Sequence, residues 1–236
     1  MAAAIPQSET ITERELISEL TTKRLSVYLR CLTFLERNGV RTVSSHEMAK
    51  RFHLSSAQIR KDLACFGEFG IRGVGYNVSL LHDRLVHVLG IDRTRKVIIS
   101  GAGNLGMALA EYRGFNTDGF QIVALLESDP RKTGRVSRSS IPIVSSDELG
   151  RLATEHEIEI GIIAVPAEAA QNVYDSMVDA GIRAVLNFAP VQIRKRPHVK
   201  IKSVDLRINL ESLSFYLRSS EESGSALLDD FDEKLT

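Results

Sequence analysis

The chain has 236 residues, with 30 Lys and Arg against 30 Asp and Glu, 43% hydrophobic residues and no Trp. This composition is that of an ordinary globular protein, long enough for one large domain or two smaller ones. No apolar run reaches about 18 residues and the N-terminus lacks the features of a signal peptide, so we expect a cytoplasmic protein, neither membrane-spanning nor secreted. Cys31 and Cys65 fall in predicted helices without a CxxC pattern. They are therefore expected to be buried, reduced thiols, with no disulfide and no metal site.

The neutral total conceals an uneven charge distribution. Residues 23–84 hold eleven Lys or Arg against five acids, a net charge of +6, whereas residues 1–22 carry −3 and residues 220–236 carry −5. A basic module beside acidic tails is typical of proteins that bind phosphates, although a solvated charged surface is the simpler explanation of charge alone.

The basic segment predicts a helix-turn-helix. Apolar residues recur at helical spacing over 23–37, and Asn38-Gly39 supplies a stop signal. Two short helices are then predicted, ending near Phe52 and Phe66, with a tight turn between them. Each is opened by a capping box, Ser44 with Glu47 and Ser55 with Gln58.

The second of these short helices would enter the major groove of DNA. Gln58 can pair with adenine, Arg60 can pair with guanine, and Lys61 can neutralise a phosphate. Residues 67–76 contain four glycines and predict a hairpin or wing with Arg72 at its tip, before a connecting helix over 80–89. Helical hairpins also serve as protein-interaction modules, but the basic wing favours DNA. The predicted DNA-contacting residues are Ser56, Gln58, Arg60, Lys61, Arg72 and Tyr76.

A dinucleotide-binding fingerprint follows. The apolar run 96–100 leads directly into the GxGxxG sequence of 101–106 and then a predicted helix. Its glycines allow the turn, the approach of a pyrophosphate and helix packing. A second predicted strand, 121–126, ends at Glu127, where an acid would bind the adenosine ribose. Glu127 also repels a 2′-phosphate and so favours NAD(H) over NADP(H), with Arg131 and Lys132 as contrary evidence.

Further strands are predicted over 141–144, 158–165 and 184–187, which completes an α/β domain with a Rossmann-type parallel sheet. A helix with Pro166 in its first turn follows the second of these strands. Phe188 fits equally well as a core residue or as a contact of the cofactor ring. The predicted cofactor-binding residues are Gly101, Gly103, Asn104, Leu105, Gly106, Glu127, Lys132, Val165, Pro166, Asn187 and Phe188.

No catalytic residue is predicted. Residues 96–208 suffice for one nucleotide-binding sheet and leave no room for a substrate lobe, and His156 and His198 lie in polar or basic runs away from strand ends. An NAD site beside a DNA-binding module indicates a sensor of the cofactor rather than an enzyme. The alternatives are an NAD-dependent oxidoreductase with an N-terminal interaction module, and a CoA- or nucleotide-binding regulator.

Residues 23–217 closely resemble Rex, the redox-sensing transcriptional repressors of Gram-positive bacteria that respond to the NADH to NAD⁺ ratio. The most specific stretches are 58–63, 66–76, 101–106 and 181–190. The resemblance implies a repressor that leaves double-stranded operator DNA when NADH binds. It also implies an N-terminal extension (1–22), a winged-helix domain (23–91), a Rossmann domain binding NADH and NAD⁺ (92–208), a C-terminal helix exchanged between subunits of a homodimer (209–219) and an acidic tail (220–236).

The resemblance further assigns three switch residues that exchange hydrogen bonds and a salt bridge between subunits. They are Arg30 at the end of the first helix, Tyr112 after the fingerprint helix and Asp205 before the final helix. The alternatives are a phosphate contact for Arg30, a core position for Tyr112 and a helix cap for Asp205. Leu206 stands where some relatives place a Phe near the nicotinamide.

Overall fold

A computed structural model describes residues 18–67, 69–71, 73–115 and 119–223. The chain forms two compact units, the first ending at Asp92 and the second beginning at Arg93. Arg72, most of the N-terminal extension and nearly all of the acidic tail lie outside the described residues. None of the helices in the described ranges combines the length and apolar character needed to cross a membrane.

The first unit is a winged helix-turn-helix, as predicted. Its three short strands form one antiparallel sheet in the order β1-β3-β2. The sequence prediction missed β1, which adds a third strand to the wing. The elements in chain order are α1 (Glu19–Arg37), β1 (Thr42–Val43), α2 (Ser45–Phe52), α3 (Ser56–Ala64), β2 (Gly70–Ile71), β3 (Gly75–Asn77) and α4 (Val78–Leu89).

Side-chain caps set the starts of the first helices. Helix α1 begins four residues earlier than predicted because the hydroxyl of Ser18 accepts the backbone N–H of Thr21 at 3.1 Å. The capping box of α2 is confirmed: Ser44 accepts the N–H of Glu47 at 3.1 Å, and the Glu47 carboxylate accepts the N–H of Ser44 at 2.8 Å. Both bonds satisfy donors that the helix itself leaves unpaired.

The capping box predicted for α3 is wrong in one half. Ser55 accepts the N–H of Gln58 at 3.3 Å, but the Gln58 side chain turns away from the cap to Asp62. Helix α3 also ends at Ala64, two residues short of the predicted end. Cys65, the residue after it, is therefore exposed, which contradicts the predicted buried thiol, whereas Cys31 is buried as expected.

The second unit carries a seven-stranded sheet in the order β10-β9-β8-β4-β5-β7-β6. All neighbouring strands are parallel except the edge pair β6 and β7. The sequence prediction missed β6 and β10, which extend the sheet at its two edges. The strands are β4 (Arg95–Ser100), β5 (Phe120–Glu127), β6 (Arg135–Val136), β7 (Pro142–Ser145), β8 (Ile160–Ile163), β9 (Ala184–Asn187) and β10 (Lys200–Ser203).

The parallel strands follow the Rossmann order. From β4 the chain builds outward through β5 and β7, then returns to the other side of β4 and continues through β8, β9 and β10. The direction of the chain therefore reverses between β4 and β8, which places the ligand crevice of such folds at their carboxyl ends. The helices of this unit are α5 (Asn104–Glu111), α6 (Leu149–Glu155), α7 (Ala167–Asp179) and α8 (Leu206–Ser223).

Candidate cofactor site and nucleic-acid interface

The loops that follow β4 and β8 meet at the switch point of the sheet. Gly101 has φ +104°, and a Cβ there would overlap the carbonyl of Ala164 in the β8 loop. A Cβ on Gly106 would overlap the carbonyl of Gly101. These two glycines are therefore required for the fold of the crevice, because any side chain would push apart the strand, the loop and α5.

Gly103 differs from the other two glycines of the fingerprint. A Cβ at this position would meet no atom of the described protein within 4 Å, and its φ of −78° suits any residue. It is the N-cap of α5 and, as a glycine, supplies no side chain to cap the helix start. The space beside Gly103 thus faces the uncapped first turn of a helix, which is an anion-binding arrangement. Asn104 and Leu105 are exposed in that turn.

Glu127 ends β5 next to this crevice. Its Oε1 accepts the backbone N–H groups of Ser128 and Asp129 at 2.9 and 3.0 Å, and its Oε2 lies 3.4 Å from the Lys132 ammonium. Burial raises the pKa of Glu127, but the hydrogen bonds and Lys132 outweigh burial, so its pKa lies below the ordinary value. The carboxylate is therefore ionised at neutral pH.

The two basic residues near Glu127 are both paired with acids. Lys132 forms an ion pair with Glu127, and Arg131 donates to both carboxylate oxygens of Asp129 at 2.9 Å. Arg131 and Lys132 had been contrary evidence to a preference for NAD(H), since free cations would attract a 2′-phosphate. Their pairing weakens that objection.

The loops after β8 and β9 line the same edge of the sheet. Pro166 is the N-cap of α7 and so precedes the first turn in which it was predicted. Val165 lies beside Gly101. Phe188 is half-buried and packs against the apolar cluster of β4, β5 and α5 that includes Ala102 and Ala110, in line with a core position.

Asn187, which is predicted to bind the cofactor, has its side chain hydrogen-bonded within the chain. It is fully buried, and its amide donates to the carbonyls of Ala189 and Val191 at 3.1 and 3.2 Å and to Ser203 at 3.3 Å. Its carbonyl accepts the N–H of Ala189 at 2.9 Å. The side chain thus organises the loop after β9 and ties it to β10.

The predicted surface histidines lie away from the crevice. His156 lines a groove of about 700 Å³ with Lys96 and Gln121, which stand at the amino ends of β4 and β5. His198 lies in the loop before β10. In the part of the chain that the structure describes, no three His, Cys, Asp or Glu residues cluster as a metal site.

Helix α3 presents a basic face to solvent. Ala57, Arg60, Lys61 and Ala64 are exposed at the i, i+3, i+4, i+7 spacing of one helix face, while Ile59 and Leu63 on the other side are buried in the core. The Arg60 guanidinium donates to the Ser45 hydroxyl on α2 at 3.0 Å. Ser56, in the first turn, is half-buried.

Gln58 lies on the flank of α3 rather than on its exposed face. Its Nε2 donates to Asp62 at 2.8 Å, so its amide is paired within the chain, and its contact with adenine stays a prediction. Asp62 also accepts both Nε and Nη2 of Arg24, at 2.6 and 2.8 Å, and the Tyr28 hydroxyl at 2.8 Å. Sequence reasoning assigned no role to Asp62, although a carboxylate between the apolar residues Ile59 and Leu63 was a usable signal.

The wing forms as predicted. Strands β2 and β3 pair Gly70 with Tyr76 and Ile71 with Gly75, and the N–H of Val74 donates to the carbonyl of Ile71 at 3.0 Å to close the turn. Tyr76 is only 9% exposed and its ring lies against Gly70 in the core, and its contact with DNA stays a prediction. The wing and α3 border a groove of about 720 Å³ that includes Arg60.

The three residues predicted as a switch occupy different environments. Arg30 is exposed within α1, seven residues before its end rather than at its end as expected. Tyr112 is 58% exposed and meets Phe115 edge-on at 5.1 Å, so it is not a core residue. Asp205 accepts the N–H groups of Arg207 and Ile208 at 2.9 and 3.4 Å and so caps α8.

Helix α8 exposes an apolar surface. It begins three residues before the predicted 209, and its apolar side chains are about 60% exposed, so no part of the described chain covers them as an intrachain lid would. These side chains are Leu206, Ile208, Leu210, Leu213, Phe215 and Leu217.

Comparison with known proteins identifies the family. One family model, described as a CoA binding domain, matches residues 92–191, and another, described as a putative DNA-binding protein N-terminus, matches residues 16–64. A redox-sensing transcriptional repressor Rex from Pelotomaculum thermopropionicum is 47% identical over 205 residues, which are 87% of this chain and 96% of that protein. The chain belongs to the Rex family.

Solved structures of another Rex-family repressor, RSP, have the same fold. RSP in complex with β-NAD⁺ and operator DNA has a TM-score of 0.83 and 34% identity, covering 89% of this chain and 99% of RSP. RSP in complex with β-NADH has a TM-score of 0.77 at the same identity, covering 88% and 97%. The resemblance of this chain to Rex, and the winged-helix and Rossmann architecture that it implied, are confirmed.

Proposed function

We propose that this Rex-family chain is a transcriptional repressor that binds operator DNA and leaves it when NADH binds. The proposal depends on two features that occur in one chain. Helix α3 has an exposed basic face, and the turn at Gly103 is open, without a side-chain cap, at the switch point of a Rossmann sheet. A protein with both sites can link cofactor binding to DNA binding. That RSP has been solved with β-NAD⁺ and operator DNA, and separately with β-NADH, supports this assignment.

The cofactor is NADH or NAD⁺, with its pyrophosphate over Gly103, Asn104 and Leu105. Gly101 and Gly106 shape this turn, and Glu127 accepts the ribose hydroxyls with Oε2, the oxygen that receives no backbone N–H. Val165 and Pro166 form the opposite wall, with Phe188 behind the turn. Lys132 stays on Glu127 and orients it.

The DNA-binding residues are those of the exposed α3 face and the wing. Arg60 reads a base edge, Lys61 contacts a phosphate, and Ser56 lies at the helix start, where bases come closest. Arg72, which lies outside the described residues, is a further proposed DNA contact. The winged-helix domain comprises residues 23–91 and the cofactor domain residues 92–208.

The working form is a homodimer in which each α8 packs on the partner subunit. The exposed apolar side chains of α8 would be buried if the two subunits exchanged this helix in a symmetric dimer. NADH shifts the dimer toward a form that does not fit the operator, because a ligand moves an equilibrium only by binding one form better. Arg30, Tyr112 and Asp205 change partners between the two forms.

The chain is a sensor without catalytic activity. The relatives are transcriptional repressors, and the groove beside His156 lies at the amino ends of the strands, on the opposite edge of the sheet from the fingerprint. A protein that binds chromosomal operators in bacteria works in the cytoplasm.

A gel shift on a palindromic, A/T-rich duplex tests the function, with NADH, NAD⁺ and coenzyme A titrated separately. We expect a shift at modest salt that NADH reverses at lower concentration than NAD⁺, and operator DNA must weaken NADH binding by the same factor. Absence of a shift refutes the repressor. Release by coenzyme A but not by NADH favours the CoA regulator, and steady NADH consumption with a substrate favours the oxidoreductase.

A further inference from the structure

A buried carboxylate joins the recognition helix α3 to the first helix α1. Asp62 is the only buried Asp or Glu among the residues that the structure describes, with its side chain 3% exposed. Arg24 and Tyr28, one turn apart on α1, donate to it from one side, and Gln58 donates from α3 itself. These four residues are the Asp62 network.

The network opposes rotation of α3 about its own length, which the apolar core restrains only weakly. Helix α3 has nine residues, and its only large buried apolar side chains, Ile59 and Leu63, lie one turn apart on a single line along the helix. Two anchors on one line fix the depth of a helix, but they permit it to rotate about that line. Asp62 lies about 100° around the helix axis from Leu63. Its directional bonds to α1 therefore oppose this rotation.

The energetics fit a role in orientation rather than in stability. A buried ion pair loses hydration energy comparable to its attraction, so well-packed apolar replacements of the whole set are neutral or stabilising. Apolar side chains do not reproduce the directional geometry of this site, in which one carboxylate accepts two hydrogen bonds from an Arg guanidinium and two more from other side chains. A binding surface must be held within about 0.5 Å and 10–20° to discriminate between ligands.

We propose that Asp62 is a positioning residue for operator recognition, which fixes the rotation of α3 so that Arg60 and Lys61 point into the major groove. Asp62 itself touches no DNA, because it faces α1 on the buried side. The network also accounts for Gln58, whose amide serves the helix orientation instead of reading a base. This inference rests on the proposed DNA-binding function.

The test replaces the polar set by apolar residues of similar size. The variant combines Arg24→Met, Tyr28→Phe and Asp62→Leu, and leaves the half-buried Gln58 amide free to reach solvent. The probes are the palindromic duplex that the wild-type chain selects from a random library and a scrambled duplex of the same composition. The measured quantity is the ratio of their two dissociation constants, together with the thermal midpoint of unfolding.

We expect the variant to unfold at the wild-type temperature or above. Its preference for the selected over the scrambled duplex should fall about tenfold or more, which corresponds to the loss of about one base contact. Affinity for the scrambled duplex and its salt dependence should remain, since every phosphate-binding cation of α3 is retained. Lys61→Ala is the matched control: it should weaken both duplexes equally and keep the ratio.

A second variant guards against misfolding of the first. Arg24 donates to both oxygens of Asp62, so in Asp62→Asn the new NH₂ group faces a guanidinium N–H whichever oxygen it replaces. The preference for the selected duplex should therefore fall in this variant as well. Either variant, folded and with the wild-type ratio, overturns the inference. A wild-type chain that does not prefer the selected duplex refutes the proposed repressor function, and the inference falls with it.

Discussion

Gly103→Ala is expected to abolish tight cofactor binding without harming the fold. In the protein alone, the added methyl group meets no described atom within 4 Å, and the backbone angles at Gly103 suit Ala. Replacing Gly by Ala removes entropy from the unfolded chain, which stabilises by about 0.4–1 kcal/mol, but Ala is a poorer N-cap than Gly by a similar amount. For a chain of this size, the thermal midpoint should therefore stay within about 3 °C of the wild-type value.

The same methyl group occupies the space through which a pyrophosphate would approach the first turn of α5. Displacement of the phosphate forfeits at least one charge-assisted hydrogen bond, which is about 1.5–3 kcal/mol. The dissociation constant for NADH should rise about 10- to 150-fold. Fluorescence titration of NADH and differential scanning fluorimetry measure the two effects on one sample.

Two further glycine variants serve as controls. Gly150→Ala lies in α6, where a Cβ also meets nothing within 4 Å, so it should raise the thermal midpoint and leave NADH binding unchanged. Gly101→Ala should lower the thermal midpoint and NADH binding together, because φ is +104° and a backbone carbonyl blocks the Cβ. If Gly103→Ala bound NADH like the wild type, the pyrophosphate would not lie over this turn, and the assignment of the fingerprint would be refuted.

Four other predictions follow from single side chains. Lys61→Ala should reduce the slope of log affinity against log salt by about 1.8 on any duplex, about 0.9 for each subunit of the proposed dimer, as filter binding at several salt concentrations would measure; an unchanged slope would contradict a phosphate contact. Asn187→Leu should lower the free energy of unfolding by about 3 kcal/mol in urea titrations, because it leaves buried backbone groups unpaired; a loss below about 1 kcal/mol would contradict this role. Leu213→Asp should shift sedimentation from dimer to monomer with the α/β fold intact, and a dimer that persists would exclude α8 as its interface. Burial raises the pKa of Asp62, but the hydrogen bonds from Arg24, Tyr28 and Gln58 together outweigh burial and hold the pKa below its ordinary value. The stability that Asp62 contributes is therefore present above the pKa of the unfolded chain and lost as pH falls through the lower, folded pKa, so urea titrations should find wild type and Asp62→Asn converging only in acid.

Much of the secondary structure of both units was predictable because short sequence motifs determine it locally. The Ser44 and Glu47 capping box, the glycines of the wing and the strand-glycine-helix order at 101–106 each restrict a few neighbouring residues, and no distant contact is needed to read them. The missed strands β1 and β10 lack such signals. Each forms because a neighbouring strand offers unpaired backbone groups, β3 for the former and β9 for the latter.

The roles of single polar side chains were less predictable, because hydrogen-bonding capacity does not specify a partner. Asn187 sits at the carboxyl end of β9, where ligands bind in such sheets, yet its amide is consumed by its own loop. Gln58 occupies the first turn of the recognition helix, yet Asp62 one turn later holds it. In both cases the side chain is hydrogen-bonded to a partner within the chain that the residue type alone does not identify.

Orientation around the helix axis decides which residues of α3 face solvent and which ones face α1. Residues 57, 60, 61 and 64 share the exposed face, and a step of about 100° from Ala57 moves Gln58 to the flank beside Asp62. The sequence shows four polar residues in 58–62, but only the packing of Ile59 and Leu63 reveals which of them point outward. The count of eleven Lys and Arg in residues 23–84 conceals the same distinction, because it includes Arg24, whose guanidinium is paired with the buried Asp62.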